Sequence, residues 1–514
     1  MYWTSLDELE TNVSTGSIVP QPEELTDAFD RRHFSHAVAL AHEKLTHHLA
    51  EDEVAGLRQE RPSELLREAR GLMTEGEAGV FDAKRFADIL DLYLRTGIKV
   101  NSRGYMARQF SSVPPVAAVF DMVSAMAPQP ASFYEAGPLP NVADKIMADE
   151  FGKRLGWTTG SFEMVSTSGA SLANMTAVLA ARNRHFARSW KEGVSRGPCG
   201  RPAIAIGADS HFSVSRICGI LGAGEDQVVR LPLNARRQIC IEGAVAALDA
   251  AAECGLNVFC IVAVAGSTSI GANDPLLALA DLARSRGAWL HVDAAHNGAL
   301  LVSDRYQHRV QGLELADSFC LDAHKTLFMP AACTLLFYRE RGVAETAFPQ
   351  KASYVFDPEE DEISRFESGV RNFECTKRPA ILNLWITWAL YGRRFFEAKL
   401  DYLVDLTRAA HDLLSVLPDF EVAHEPESNI LCFTHRPEGS AGLDIDRLQL
   451  ELRNRVRDAG RYFVSKVDLD GATVLRIVMM NHGISLKDIA GLVEEIRRHG
   501  RAIVSDWTTR VAAA

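Results

Sequence analysis

Between residue 151 and about residue 340 the chain repeats one pattern: a short apolar run that stops at a polar or small residue, then a segment with helical spacing. The runs are 162–165, 203–206, 258–264, 288–292, 318–321 and 334–338. Strand and helix alternating over this length imply a mostly parallel sheet covered on both faces, because each return to a parallel neighbour needs a crossover. The fold class is therefore α/β. In open sheets of this kind ligands sit outside the strand C-terminal ends, so the residues that terminate the runs are the ones to weigh.

Two of them stand out. HVDAAHNGAL, from 291, places Asp293 at a strand end, and DSFCLDAHKTLFMP, from 317, places Lys325 just past another. Asp293 is positioned to hold a cation. Lys325, followed by Thr326, Leu327, Phe328 and Met329, is expected to be desolvated, with its pKa lowered and its amine free to attack a carbonyl. Pyridoxal 5'-phosphate (PLP) uses both groups together: a lysine for the Schiff base and an acid against its ring nitrogen.

Three further turns follow predicted strands. STSGASLANMTAVLAARN, from 166, is a small-residue turn opening a helix, where Ala170 and Ser171 would sit at amides suited to a phosphate. GADSHFSVSRICGIL puts His211 at the next strand end, where its ring could stack on a flat cofactor. AVAGSTSIGANDPL brings the hydroxyl of Ser267 near the same edge.

TSGAS-x-AN, DSH, AGSTS-x-G, HVDAA and DAHKT occur in the order and approximate spacing of the group II PLP amino-acid decarboxylases, and the resemblance spans roughly residues 100–500. The family includes glutamate, aromatic amino acid and 2,4-diaminobutyrate decarboxylases. The resemblance implies the type I aminotransferase-like fold, an intertwined homodimer with shared active sites, and release of carbon dioxide and a primary amine from an L-amino acid. Lys325 then resembles the Schiff-base lysine and Asp293 the partner of the ring nitrogen. His211 would stack on one ring face and Ala295 pack the other, while Ala170, Ser171 and His324 hold the phosphate. Ser267 falls near the ring hydroxyl, and the partner subunit's ECTKR turn, around Thr376, would approach the phosphate. KASYVFDPEED resembles the mobile loop of the diaminobutyrate branch and makes Tyr354 the proton donor to the α-carbon.

On the substrate side, SRGYMARQFSS resembles the stretch that presents a glutamine in glutamate- and cysteine-sulfinate-type members, which points to Gln109. Arg103 stands where those members have His, and His296 where most branches have Tyr or Trp. Arg476 matches an arginine that some members use on a substrate carboxylate. The lining named by Arg103, Arg108, Gln109, His296 and Asn297 is more polar than aromatic, which favours a small polar or acidic substrate of the glutamate, aspartate, cysteine sulfinate or diaminobutyrate type. An aromatic substrate, and oxidative decarboxylation with deamination to an aldehyde, stay open as alternatives. So does a non-catalytic protein that kept the fold.

At 514 residues two or three domains are expected. We place a helical segment, read as a dimer arm, at 1–98, a large PLP-binding domain at 99–395 and a small α+β domain at 396–514. A net charge of −12 argues against nucleic acid or an anionic membrane as a general partner. The nine cysteines form no C-x-x-C pair, so reduced thiols are expected and no metal is called for. With no signal-peptide pattern and no apolar stretch of spanning length, a cytoplasmic location is expected.

Overall fold

The computed structural model describes residues 27–50, 56–73, 81–194, 200–349 and 361–513. They fall into two compact units, one ending at Lys99 and one running from Val100 to the C-terminus, which also takes in Gly56.

The first unit holds the helices Arg31–Ala50, Pro62–Leu72 and Ala83–Arg95, with a two-stranded ribbon of β1 (Leu57–Arg58) and β2 (Gly97–Ile98). Asp82 caps the third helix by accepting from the Arg85 amide at 2.9 Å, and a Lys44–Asp91 ion pair of 2.7 Å ties it to the first.

The second unit is built on a seven-stranded sheet: β3 (Glu163–Thr167), β4 (Arg201–Gly207), β5 (Val228–Leu231), β6 (Leu256–Val264), β7 (Trp289–Asp293), β8 (Ser318–Asp322) and β9 (Thr334–Tyr338). Their spatial order is β3-β9-β8-β7-β6-β4-β5. Only β9 runs against its neighbours. Ile204, Ile206, Ile261 and Val262 are fully buried, each worth about 1.5–3 kcal/mol of burial. All six expected strands are present. β5 was not anticipated, because it is a short edge strand with only Leu231 fully buried and Arg230 exposed. Since every strand but β9 points the same way, the turns after β3, β4, β6, β7 and β8 meet at one edge.

A second, antiparallel sheet contains β10 (Phe420–Val422), β11 (Ile430–His435), β12 (Ser465–Leu469) and β13 (Ala472–Val478), in the order β10-β11-β13-β12. Helices Arg393–Ser415, Ile445–Asp458 and Leu486–Ala513 accompany it. The first of these runs unbroken through the boundary expected at 395/396. Among the described residues no helix is long and apolar enough to cross a membrane.

Candidate active site

Asp293 ends β7, buried, level with Val264 of β6 and Cys320 of β8. Its Oδ2 accepts from Asn174 Nδ2 at 2.9 Å and its Oδ1 from the Ala295 amide at 3.2 Å. Asn174 sits one turn into the helix Ala170–His185, and a line of hydrogen bonds runs behind it. Trp289 Nε1 donates to Ser318 Oγ at 2.8 Å, Ser318 Oγ lies 2.8 Å from His291 Nδ1, and His291 Nε2 lies 2.9 Å from Asn174 Oδ1. The direction of the line follows from the Asp293 end: the Asn174 NH2 faces the carboxylate, so its Oδ1 accepts from His291 Nε2–H, and the Nδ1 of a neutral imidazole can then only accept. Ser318 donates to His291 Nδ1, the imidazole Nε2–H donates to Asn174, and the Asn174 amide donates to Asp293. Burial pulls His291 down to about 4, which keeps it in the neutral form this line needs. The carboxylate is thus oriented before anything binds to it.

β8 stops at Asp322, and the short helix Ala323–Thr326 carries Lys325. Lys325 Nζ lies 3.0 Å from Asp322 Oδ2, and Thr334 Oγ1 donates to the other oxygen of that carboxylate. The expected depression of the lysine pKa is overturned. Burial does pull it down, but the carboxylates of Asp322 and Asp293 outweigh burial and the net shift is upward. Leu327, Phe328 and Met329 are buried as anticipated; the opposing charges come from two strand ends that adjacency in the chain does not show.

His211 caps the helix Phe212–Ile220, with Nδ1 2.7 Å from Ser213 Oγ. Burial lowers its pKa, and the charges of Asp293 and Lys325 act on it next. Three strand-end groups therefore share one electrostatic neighbourhood. The small-residue turn after β3 passes through Gly169 at φ 112°, where a side chain would be strained, and no side chain caps the helix that starts at Ala170. Ser171 is exposed at that N-terminus, so amides and a hydroxyl remain for an anion. His324 lies beside Lys325 with Nδ1 on the backbone of Cys333. Ser267 is buried and closes its own turn, accepting from the Ala272 amide at 3.2 Å. Thr376 is exposed, but the ECTKR turn meets its own chain's β3 end: Ser168 Oγ donates to Glu374 at 2.6 Å, and Lys377 Nζ to Ser166 O at 3.0 Å.

The substrate-side candidates are placed less uniformly. Gln109 is half-buried. Arg103 makes an ion pair with Asp488 at 3.7 Å. His296 is buried, with Nε2 2.7 Å from Asn429 Oδ1 and Nδ1 without a partner among the described residues, and burial takes it down to about 3. Asn297 is spent on Gly271 and Asn273 and packs so close to Gly266 that a Cβ there would come within 2.6 Å. Arg476 on β13 is buried; its Nε donates to Ser269 O at 3.0 Å, while Nη2 donates to nothing among the described residues. Tyr354 lies outside the described residues.

Asp322 and Asn174 were not singled out from sequence, although both stand inside the quoted motifs. The signal for Asn174 is a single amide in an otherwise apolar turn, and for Asp322 a second acid ending a strand.

A buried, oriented carboxylate, an adjacent lysine and an uncapped helix N-terminus fit PLP by the chemistry of the donors. Residues 85–436 match the model of the pyridoxal-dependent decarboxylase conserved domain. The chain belongs to this family. As a PLP-dependent decarboxylase it has the family's fold across most of its length. Mouse CSAD is 22% identical, with a TM-score of 0.84, covering 92% of this chain and 99% of that one. Oryza sativa TDC, solved with PLP and tryptamine, is 21% identical, with a TM-score of 0.85, covering 93% of this decarboxylase and 99% of that chain. The glutamate decarboxylase domain of diaminobutyrate-pyruvate transaminase and L-2,4-diaminobutyrate decarboxylase from Vibrio parahaemolyticus is 21% identical, with a TM-score of 0.79, over 91% and 96%.

Proposed function

We propose that this decarboxylase acts on a small L-amino acid with a polar or acidic side chain, releasing a primary amine and carbon dioxide, as a cytoplasmic homodimer clasped by the N-terminal helices. Arg476 carries the reading of the substrate. It is a buried guanidinium with no carboxylate partner among the described residues and an undonated Nη2. Leaving a charge buried and unpaired costs several kcal/mol, and a substrate carboxylate would relieve that cost with a charge-assisted hydrogen bond.

Bound PLP supplies the electron sink that accepts the pair left by departing carbon dioxide. Lys325 would hold the cofactor, and Asp322, 3.0 Å away, would pair with the lysine's ammonium whenever that group is free and protonated. Asp293, fixed by Asn174, keeps the ring nitrogen protonated. His211 and Ala295 would confine the ring. Ala170, Ser171 and His324 would hold the phosphate, with the chain's own ECTKR turn around Thr376 beside them at the β3 end in place of the partner subunit's, and Ser267 would stand near the ring hydroxyl. Gln109, Arg103 and His296 border the substrate together with Arg476. Tyr354 delivers the proton to the α-carbon.

The test is to incubate the PLP-loaded protein with a pool of proteinogenic and diamino acids and follow products by mass spectrometry. A single new amine from an acidic or diamino acid is the expected result. An aromatic amine, or an aldehyde formed with peroxide and ammonia, would contradict it.

A further inference from the structure

The opposite end of β3 carries a second cluster of charge that the reaction does not use. Glu163, the first residue of β3, borders a cavity of about 460 Å³ into which Lys145, Arg341, Arg365 and Arg371 also project. Glu163 is 4% exposed, and one of its oxygens is taken by the Ala344 amide at 2.6 Å. The other faces Arg371 Nη1 at 3.9 Å. Arg371 is itself 6% exposed, and its Nε donates to nothing among the described residues. Half-buried Lys145 makes no ion pair among those residues. Burial first, and then the charge of Arg371, take this lysine down to about 8.

Glu163 and buried Asp144 both act on the inner cations, but only Glu163 comes within ion-pair distance of one of them, Arg371. Buried Asp144 acts on Lys145 and on Lys377, but neither of its oxygens makes a hydrogen bond among the described residues. Two more arginines stand at the rim, and the rim acids Asp149 and Glu345 oppose them. The cavity lining carries Lys145, Arg341, Arg365 and Arg371 against Asp149, Glu163 and Glu345, and the two inner cations have only the 3.9 Å Glu163 contact between them, where water is scarce and an imperfectly paired cation is costly. A planar guanidinium with a free Nε beside an ammonium matches the oxygens of a compact anion.

We propose that this cavity binds a small, multiply charged oxyanion of the phosphate or polycarboxylate class, held between Arg371 and Lys145. The site differs from the cofactor's phosphate turn, which lies at the other end of the same strand. The two are joined by the segment from Arg371 to Lys377, which follows the free edge of β3. Arg371 faces Glu163, Glu374 meets Ser168, and Lys377 meets Ser166. An anion at the lower end fixes the strap that carries Thr376.

The experiment is calorimetric titration of the PLP-loaded protein with inorganic phosphate and, separately, with citrate, while the visible absorption of the cofactor is recorded. One binding event per chain is expected, with the cofactor band unchanged. Heat from phosphate alone assigns the phosphate class, and heat from citrate alone the polycarboxylate class. Arg371→Gln and Lys145→Met should each weaken binding about thirtyfold, the loss that follows from removing one partner of a buried charged contact. If Arg371→Gln fails to fold because Glu163 loses its counter-charge, Lys145→Met carries the test, since that lysine supports no ion pair. No heat from either anion, unaltered binding in Lys145→Met, or binding that bleaches the cofactor band would overturn the proposal.

Discussion

The Asp293 wall of the site and the Arg476 wall are built on opposite principles. At Asp293 the carboxylate is held by Asn174 and the Ala295 amide, and each group behind it is held in turn back to Trp289. Arg476 is equally buried yet, among the described residues, finds only backbone and hydroxyl oxygens, and one nitrogen finds nothing. Satisfied networks rigidify, whereas unsatisfied buried charge is a store of unfavourable energy that a ligand can release. The difference supports the roles proposed for them: a satisfied wall suits a cofactor, which needs constant geometry, and an unsatisfied one suits a substrate.

Substitutions can break that comparison. The largest effect is expected at Asp293 itself: Asp293→Asn should lower kcat by about 10²–10⁴, the range for a lost proton-holding group, measured by steady-state amine release at saturating PLP. Asn174→Leu should lower activity about 10–100-fold through the disoriented carboxylate, as removal of outer supports does elsewhere. It should also cost about 1–3 kcal/mol in chemical denaturation, because His291 and Asp293 each lose a partner. Arg476→Met should behave in the reverse way. It should raise KM about thirtyfold or more for a carboxylate-bearing substrate, while leaving stability equal or higher by about 1–4 kcal/mol, because an uncompensated buried charge has gone. Loss of stability in Arg476→Met comparable to that in Asn174→Leu would erase the distinction between the two walls.

The smallest effect concerns pH. Lys399 is buried with its amine on Ser112 and 3.7 Å from the centre of the Phe328 ring, and His482 feels its charge. Burial pulls Lys399 down to about 7 from the usual 10.5. Between those values the unfolded chain binds the proton and the folded chain does not, so stability should rise with pH across that window and be lowest below it. Lys399→Met should flatten this rise in urea titrations from pH 6.5 to 9. An unchanged slope would assign it to another group.

How much of this was legible in the sequence depended on whether a property was local. The six central strands and Asp293 could be read because each is a continuous apolar run or its end. β5 escaped because Val228 and Val229 lie at an edge with Arg230 turned to solvent. The line from Trp289 to Asp293 could not be read, since Asn174 and Ser318 are brought together only by the helix packing on the sheet. The same limit inverted the lysine. Its apolar neighbours were visible in the chain, while the proximity of its charge to Asp293 exists only in the fold. Asn297, counted as a polar lining residue, is committed to Asn273 and Gly271, and no spacing rule distinguishes such an amide from a ligand contact. Lys377 and Lys399 stand in segments where a lysine is ordinarily solvated, so their burial had no signal.

That last point bears on which lysine carries the cofactor. Burial lowers the pKa of both Lys377 and Lys399, and Lys325 is the one raised, so amine basicity alone would select a residue other than the one proposed. Lys325 is chosen by its place beside Asp322 and within the field of Asp293. The direct test is to reduce the PLP-loaded protein with borohydride, digest it and locate the phosphopyridoxyl group by peptide mass spectrometry. The account predicts the label on Lys325 alone. A label on Lys377 or Lys399, or stable attachment in Lys325→Ala, would contradict it.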